Sequence, residues 1–256
     1  MRGFLGVACV AGVVVAAALL LPAGAASLRA VLPVSVMEIE PWGMTSEQSD
    51  PQHPGIYTEM ITAIAGQAGL TIALSIKPYP RTIVDMRSGE SVFTLMSNNP
   101  GIEQAAVRLA AVKPLDVVVM GPGGKKFSSL ADLRGKKVAT LLGTDHDPRF
   151  RDDPLILKVT VKSTEQQLKL LEVGRVDAIF GVSDAIAYTA GKMRRAGHPV
   201  ALGEPLLVTK LYGYLYLSKQ HDTPAMREAL LGGVAKLKAA GALERINAKY
   251  LADVGR

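Results

Sequence analysis

A short β-rich run followed by an amphipathic helical run recurs along the chain, and this alternation limits the fold more than any other feature. Residues 28–39 read as a strand. After a polar loop, Ile56, Met60, Ile61, Ile64 and Ala68 share one helical face, and Gly69 ends it. Residues 70–76 form a second strand-like run, Pro80 opens a short helix carrying Ile83, Val84 and Met86, and residues 91–96 form a third strand. A second series starts after Pro114 with a strand over 115–120 and a break at Gly121-Pro122-Gly123-Gly124. It continues with a one-turn helix from Ser129 to Gly135 and a strand over 137–142. Residues 159–161 lead into a helix with a Ser163/Gln166 capping box, inward Leu168 and Leu171, and a stop at Gly174. A buried strand over 176–180 and a helix over 184–195 complete that half. The chain returns through residues 211–217, where Tyr212, Tyr214 and Tyr216 share one alternating face. It ends in a helix capped by Thr223-Pro224, with Met226, Leu230, Leu231, Val234 and Leu237 as its apolar stripe, and a last helix over 243–251. Repeated βα units define an α/β class with mainly parallel strands. The runs at 115–120 and 211–217 flank the second half and are the places for the chain to cross between halves.

The start of the chain sets the expected compartment. Met1 and Arg2 precede an uncharged Val/Ala/Leu/Gly stretch that reaches Pro22 and the small residues Ala23-Gly24-Ala25. This is the pattern of a cleaved export leader over residues 1–25, although its length would also suit a retained membrane anchor. Cleavage removes Cys9, the only cysteine, so neither disulfides nor thiol chemistry is expected in the exported part. The net charge of +6 comes from scattered pairs, Lys125-Lys126, Lys136-Lys137 and Arg194-Arg195, with few aromatics between them. That is a solvated surface rather than a nucleic-acid stripe, and no nucleic-acid partner is expected.

Several short motifs in order along the chain carry a resemblance. They are Gly55-Ile56-Tyr57, Tyr79-Pro80-Arg81 with Ser88-Gly89-Glu90, the run from Ser129 to Val138 with Gly143-Thr144 behind it, Gly174-Arg175-Val176-Asp177-Ala178, and the run from Leu243 to Tyr250. The chain resembles the type 2 periplasmic solute-binding proteins, particularly the branch serving polar amino acid uptake by ABC transporters. The resemblance implies a two-lobed, Venus-flytrap α/β fold with two hinge strands. One lobe would take residues 26–113 plus 212–256 and the other residues 114–211. It also implies the cleft positions: Glu40, Pro41 and Trp42 after the first strand; Tyr79 and Arg81 at the second helix; Ser97, Asn98 and Asn99 after the third strand; Gly143 and Thr144; and Ser183 and Asp184. Two positions depart from the amino-acid binders. Ile102-Glu103-Gln104-Ala105 lacks the Arg that clamps an α-carboxylate, and Val182 stands where an Asp would hold the α-amino group.

The chemistry of these residues suits a small anionic or zwitterionic ligand. Trp42 and Tyr79 offer flat apolar walls with a polar edge, and Arg81 a forked cationic donor. The Gly143-Thr144 amides are expected to open a helix and favour negative charge. Each residue has a plainer reading as well: Trp42 as core, Arg81 as the partner of Asp85 one helical turn on, and Asn98-Asn99-Pro100-Gly101 as a turn. Asp145-His146-Asp147 has metal-ligating residue types, but Asp147-Pro148 reads better as a helix cap, and no metal or cofactor is expected. Gly181-Val182-Ser183-Asp184-Ala185 lacks the second glycine of a nucleophile elbow. The expectation is a monomeric, non-enzymatic, periplasmic binding protein that passes a small molecule to an ABC permease. An enzyme on the same scaffold, or a sensory accessory protein, is the alternative.

Overall fold

The computed structural model describes residues 30–47, 53–98, 100–144 and 146–251. The expected leader and the neighbours Asn99 and Asp145 lie outside the described residues. The first body opens with β1 (Leu32–Met37), α1 (Ile56–Ala68) and β2 (Ile72–Lys77), β1 and β2 running parallel in register from Leu32↔Ile72 to Met37↔Lys77. It continues with α2 (Tyr79–Ser88), β3 (Phe93–Ser97) and α3 (Pro100–Ala105). Beyond a long strand β4 (Ala106–Met120) come β5 (Lys137–Leu141), α4 (Pro148–Arg151), β6 (Leu157–Val161), α5 (Thr164–Glu172), β7 (Ala178–Val182) and α6 (Ser183–Arg195). A second long strand, β8 (Leu206–Ser218), leads back to α7 (Pro224–Ala239) and α8 (Ala242–Leu251).

The two long strands organise the molecule. The strand order β3-β8-β4-β7-β5-β6 places β4 and β8 between the two halves. They run antiparallel from Ala106↔Ser218 to Val119↔Leu206, with register shifts at three places. On β8, β3 takes only the Gly213–Leu217 end, whereas on β4, β7 takes only the Val117–Met120 end. One end of the ribbon therefore belongs to the first body and the other to the second, which is a two-strand hinge. Both hinge strands are longer than the 115–120 and 211–217 expected from sequence. The bulges near Lys113-Pro114 let a proline without an N–H sit in a paired strand.

One large apolar cluster runs through both bodies, from Val36 and Ile61 to Leu133, Phe150 and Phe180. In the first body, Ile56, Met60, Ile61 and Ile64 of α1 are fully buried with Val36, Phe93, Leu95, Leu215 and Leu230, each side chain contributing about 1.5–3 kcal/mol of burial. A separate cluster in the second body joins Val118, Ala139, Leu168, Leu171, Ile179 and Ile186 beneath α5 and α6. Gln167 stitches that body from inside, its Nε2 donating to the carbonyls of Ala139 at 2.9 Å and Phe180 at 3.0 Å. Thr223 caps α7 and Ser163 caps α5 as the sequence indicates, each accepting the third-residue amide at 3.2 Å.

Candidate functional site

A cavity of about 480 Å³ opens between the two bodies. Glu38, Ile39, Glu40, Pro78, Tyr79 and Pro80 wall it on one side, and Leu141, Leu142, Lys162, Ser163, Thr164, Glu165 and Thr189 on the other. Its volume lies in the range that encloses a small molecule. Both walls are chain ends of regular elements. The 38–43 loop leaves β1 and is pinned to the start of α1 by Ile56 N–H to Pro41 O at 2.8 Å and Tyr57 N–H to Trp42 O at 2.8 Å. Tyr79 and Pro80 are the first two residues of α2, and Ser163 and Thr164 begin α5.

Charge is unevenly paired around this cavity. Lys192 of α6 reaches across from the second body and lies 2.8 and 3.0 Å from the two carboxylate oxygens of Glu40. Lys169, one turn along α5, donates a hydrogen bond to Glu165 at 2.6 Å and holds its carboxyl below the usual range. Glu38 and Lys162 have no ionic partner among the described residues and stand on opposite walls.

Behind the cavity a second cluster forms at the hinge. Trp42 is buried and packs against Tyr57 with ring centroids 5.1 Å apart. The Lys113 ammonium lies 5.2 Å from the Trp42 ring and forms an ion pair with Asp184 in the first turn of α6. The Lys113 side chain is only 6% exposed and that of Asp184 23%. Ser97 joins the same place through the strand ladder, because Gly213 pairs with Ser97 on one side and with Lys113 on the other. Burial raises the Tyr57 phenol above its ordinary value, with the charge of Asp184 adding to the shift.

Of the positions expected from sequence, Glu40 and Tyr79 line the cavity. Trp42, Ser97 and Asp184 meet instead around Lys113, and Asn98 follows Ser97 at the end of β3. Gly143, at φ +80, follows the cavity-wall residues Leu141 and Leu142 and lies close to the first body: an added Cβ would stand 3.3 Å from Tyr79 Cδ1 and 3.4 Å from Pro80 Cγ.

Two expectations change. Gly143 and Thr144 do not open a helix: the Thr144 hydroxyl donates to Leu141 O at 2.8 Å, and α4 starts only at Pro148. Asp147 occupies the first amide of α4 by accepting from Arg149 N at 2.8 Å, as its cap reading required, and the Arg149 guanidinium keeps its carboxyl below the usual range. Arg81 is engaged elsewhere, with its Nε 2.8 Å from Asp85 and its Nη2 3.0 Å from Glu90. Asp85 is buried and accepts from the Ser35 hydroxyl at 2.8 Å, whereas the Arg81 side chain is 51% exposed, so Arg81 pairs with Asp85 from the solvent side and is not among the residues that wall the cavity.

Tyr57, noted only within the 55–57 motif, and Lys113 and Lys192 were not expected at the site. Lys113 carried a signal, being the single charge between Leu109 and Leu115 in an otherwise apolar run. Lys192 did too, standing eight residues beyond Asp184 on the same face of a helix.

Two bodies, a paired-strand hinge and a cavity walled from both sides give the fold of the two-lobed, type 2 periplasmic solute-binding proteins. No family profile matches the chain. In sequence, 137 residues are 26% identical to the probable amino-acid-binding protein YxeM of Bacillus subtilis (strain 168), covering 52% of this chain and 50% of that protein, so the chain spans about half the length of the curated relative it matches. Among solved structures, the ligand-binding core of GluR0 from Nostoc punctiforme in complex with L-glutamate aligns with a TM-score of 0.70 at 19% identity, covering 86% of this chain and 98% of that one. An ancestral arginine-binding protein bound to arginine gives the same TM-score of 0.70 and 19% identity, over 86% and 97% of the two chains. The VFT2 domain of Bordetella pertussis BvgS gives 0.71 at 16% identity, over 86% and 93%. At these identities the structural likeness is one of fold.

Proposed function

We propose that this protein is a periplasmic, non-catalytic solute-binding protein that captures a small zwitterionic ligand, an amino acid or close relative, and passes it as a monomer to an ABC permease. Its lobes are taken as residues 26–113 with 212–256, and 114–211. The cavity between the two bodies carries this reading. With Glu40 and Glu165 each held by a lysine, one acid, Glu38, and one base, Lys162, remain on facing walls, a pattern complementary to separated ammonium and carboxylate groups. The likeness to YxeM, described as a probable amino-acid-binding protein, supports the ligand class. The two acids nearest the expected cleft outside the pair Glu38 and Glu165 are engaged by neighbouring side chains: Glu40 by Lys192, and Glu103 by the Tyr216 hydroxyl at 2.8 Å and by Arg108 at 3.7 Å.

The test is a thermal-shift screen of the exported part against amino acids, organic acids, polyamines and sugars. A ligand at one hundred times its dissociation constant adds about 2.7 kcal/mol of stability. A response confined to amino acids and their zwitterionic relatives is expected. A response confined to sugars or polyamines contradicts the proposed ligand class.

A further inference from the structure

Helix α6 meets the first body along a single stripe. Asp184, Tyr188 and Lys192 stand four residues apart and so lie on one side of the helix. Asp184 pairs with Lys113, the Tyr188 hydroxyl contacts the Met44 sulfur at 3.6 Å, and Lys192 holds Glu40. The Glu40 side chain is 13% exposed and forms part of the cavity wall, whereas Lys192, 41% exposed, stands outside it.

We propose that Lys192 is a specificity-determining residue: by covering the Glu40 carboxylate from outside the cavity, it sets the charge class of ligand that the cavity accepts. This deepens the reading of the cavity as the ligand site and rests on it. With Lys192 in place the wall is balanced, Glu38 against Lys162. Without it, a largely buried carboxylate faces the cavity with no counter-charge, and a carboxylate shielded from water attracts a cation strongly because solvent screens it poorly. The cationic end of an arginine or lysine ligand then takes the role that the Lys192 ammonium plays in the native protein. The neighbouring contacts at Asp184 and Tyr188 hold α6 in place when Lys192 is changed, so the substitution alters the wall's charge without detaching the helix.

The experiment measures the affinities of glutamine, arginine and glutamate for the wild type, Lys192→Met and Lys192→Arg by titration calorimetry. Lys192→Gln replaces the methionine variant if that one does not fold. Wild type is expected to favour glutamine. The uncharged variant is expected to raise the arginine-to-glutamine affinity ratio roughly ten-fold or more, the weight of one charge-assisted hydrogen bond, and to disfavour glutamate further. Lys192→Arg is expected to keep the wild-type ranking, since it restores the cation. An unchanged ratio in the uncharged variant, with wild type still binding, overturns the role of Lys192 alone. Wild type binding none of the three overturns the cavity reading, and the specificity role with it.

Discussion

Gly213→Ala lowers stability by about 1–3 kcal/mol, the usual cost of overpacking a filled core, and Tyr57→Phe in the same chain returns most of the loss. A Cβ on Gly213 would stand 2.3 Å from the Tyr57 hydroxyl oxygen and 3.2 Å from Cζ. Tyr57 is fully buried, and its hydroxyl has no hydrogen-bond partner among the described residues. The strand cannot yield easily at this point, because Gly213 is held between Ser97 of β3 and Lys113 of β4. Phenylalanine removes the atom that the new methyl group strikes hardest and leaves Cζ as a tight contact at 3.2 Å. Tyr57→Phe alone is expected to be neutral or stabilising, since an unsatisfied buried hydroxyl costs about 1–3 kcal/mol. Urea denaturation of the two single variants and the double variant gives the coupling directly. Strictly additive losses would mean that the methyl group and the hydroxyl do not meet.

Lys113→Met is expected to cost about 3 kcal/mol, because it strands Asp184 without its cation at a site with limited access to water. The side-chain exposures of 6% for Lys113 and 23% for Asp184 place the pair nearer the buried limit than the surface one, where an ion pair is worth less than about 1 kcal/mol. Adding Asp184→Asn to Lys113→Met removes the orphaned charge and is expected to recover a large part of the loss. Lys113 lies on a hinge strand and Asp184 at the root of α6, so the pair also ties the hinge to the second body. Thermal melts of the three variants decide the point. A Lys113→Met variant as stable as wild type would show that the ion pair is solvated and does no structural work.

The layered architecture was legible because burial leaves a period in the sequence. Ile56, Met60, Ile61 and Ile64 mark α1 by spacing alone, and the Thr223-Pro224 start of α7 follows from the chemistry of free amides. The hinge strands were legible only in part. Residues 106–113 contain Arg108, Lys113 and a following proline, which break the alternation of a strand; they are held extended by pairing with β8, a partner more than ninety residues away. Strand propensity yields to such tertiary context.

The site followed the same division. Glu40 and Tyr79 sit where family likeness places them, beside a cavity. Arg81 illustrates the opposite case: the i, i+4 spacing to Asp85 was visible, but the burial of Asp85 with Ser35 depends on how α2 docks on β1. That docking buries the Asp85 end of the pair and leaves the Arg81 end half exposed. Likewise, Asp184 resembled a ligand-holding acid until the fold brought Lys113 against it. The helical spacing puts Lys192 on the face of Asp184, but its contact with Glu40 depends on α6 crossing toward the 38–44 loop, which that spacing does not encode.

The most direct measurement is a crystal structure of the protein grown with the compound that gives the largest thermal shift. One guest is expected between the two bodies, touching Glu38, Glu40 or Tyr79 on one side and Lys162, Ser163 or Thr164 on the other. A guest bound on an outer face, with the cavity between those residues holding only solvent, contradicts the proposed capture between two closing lobes.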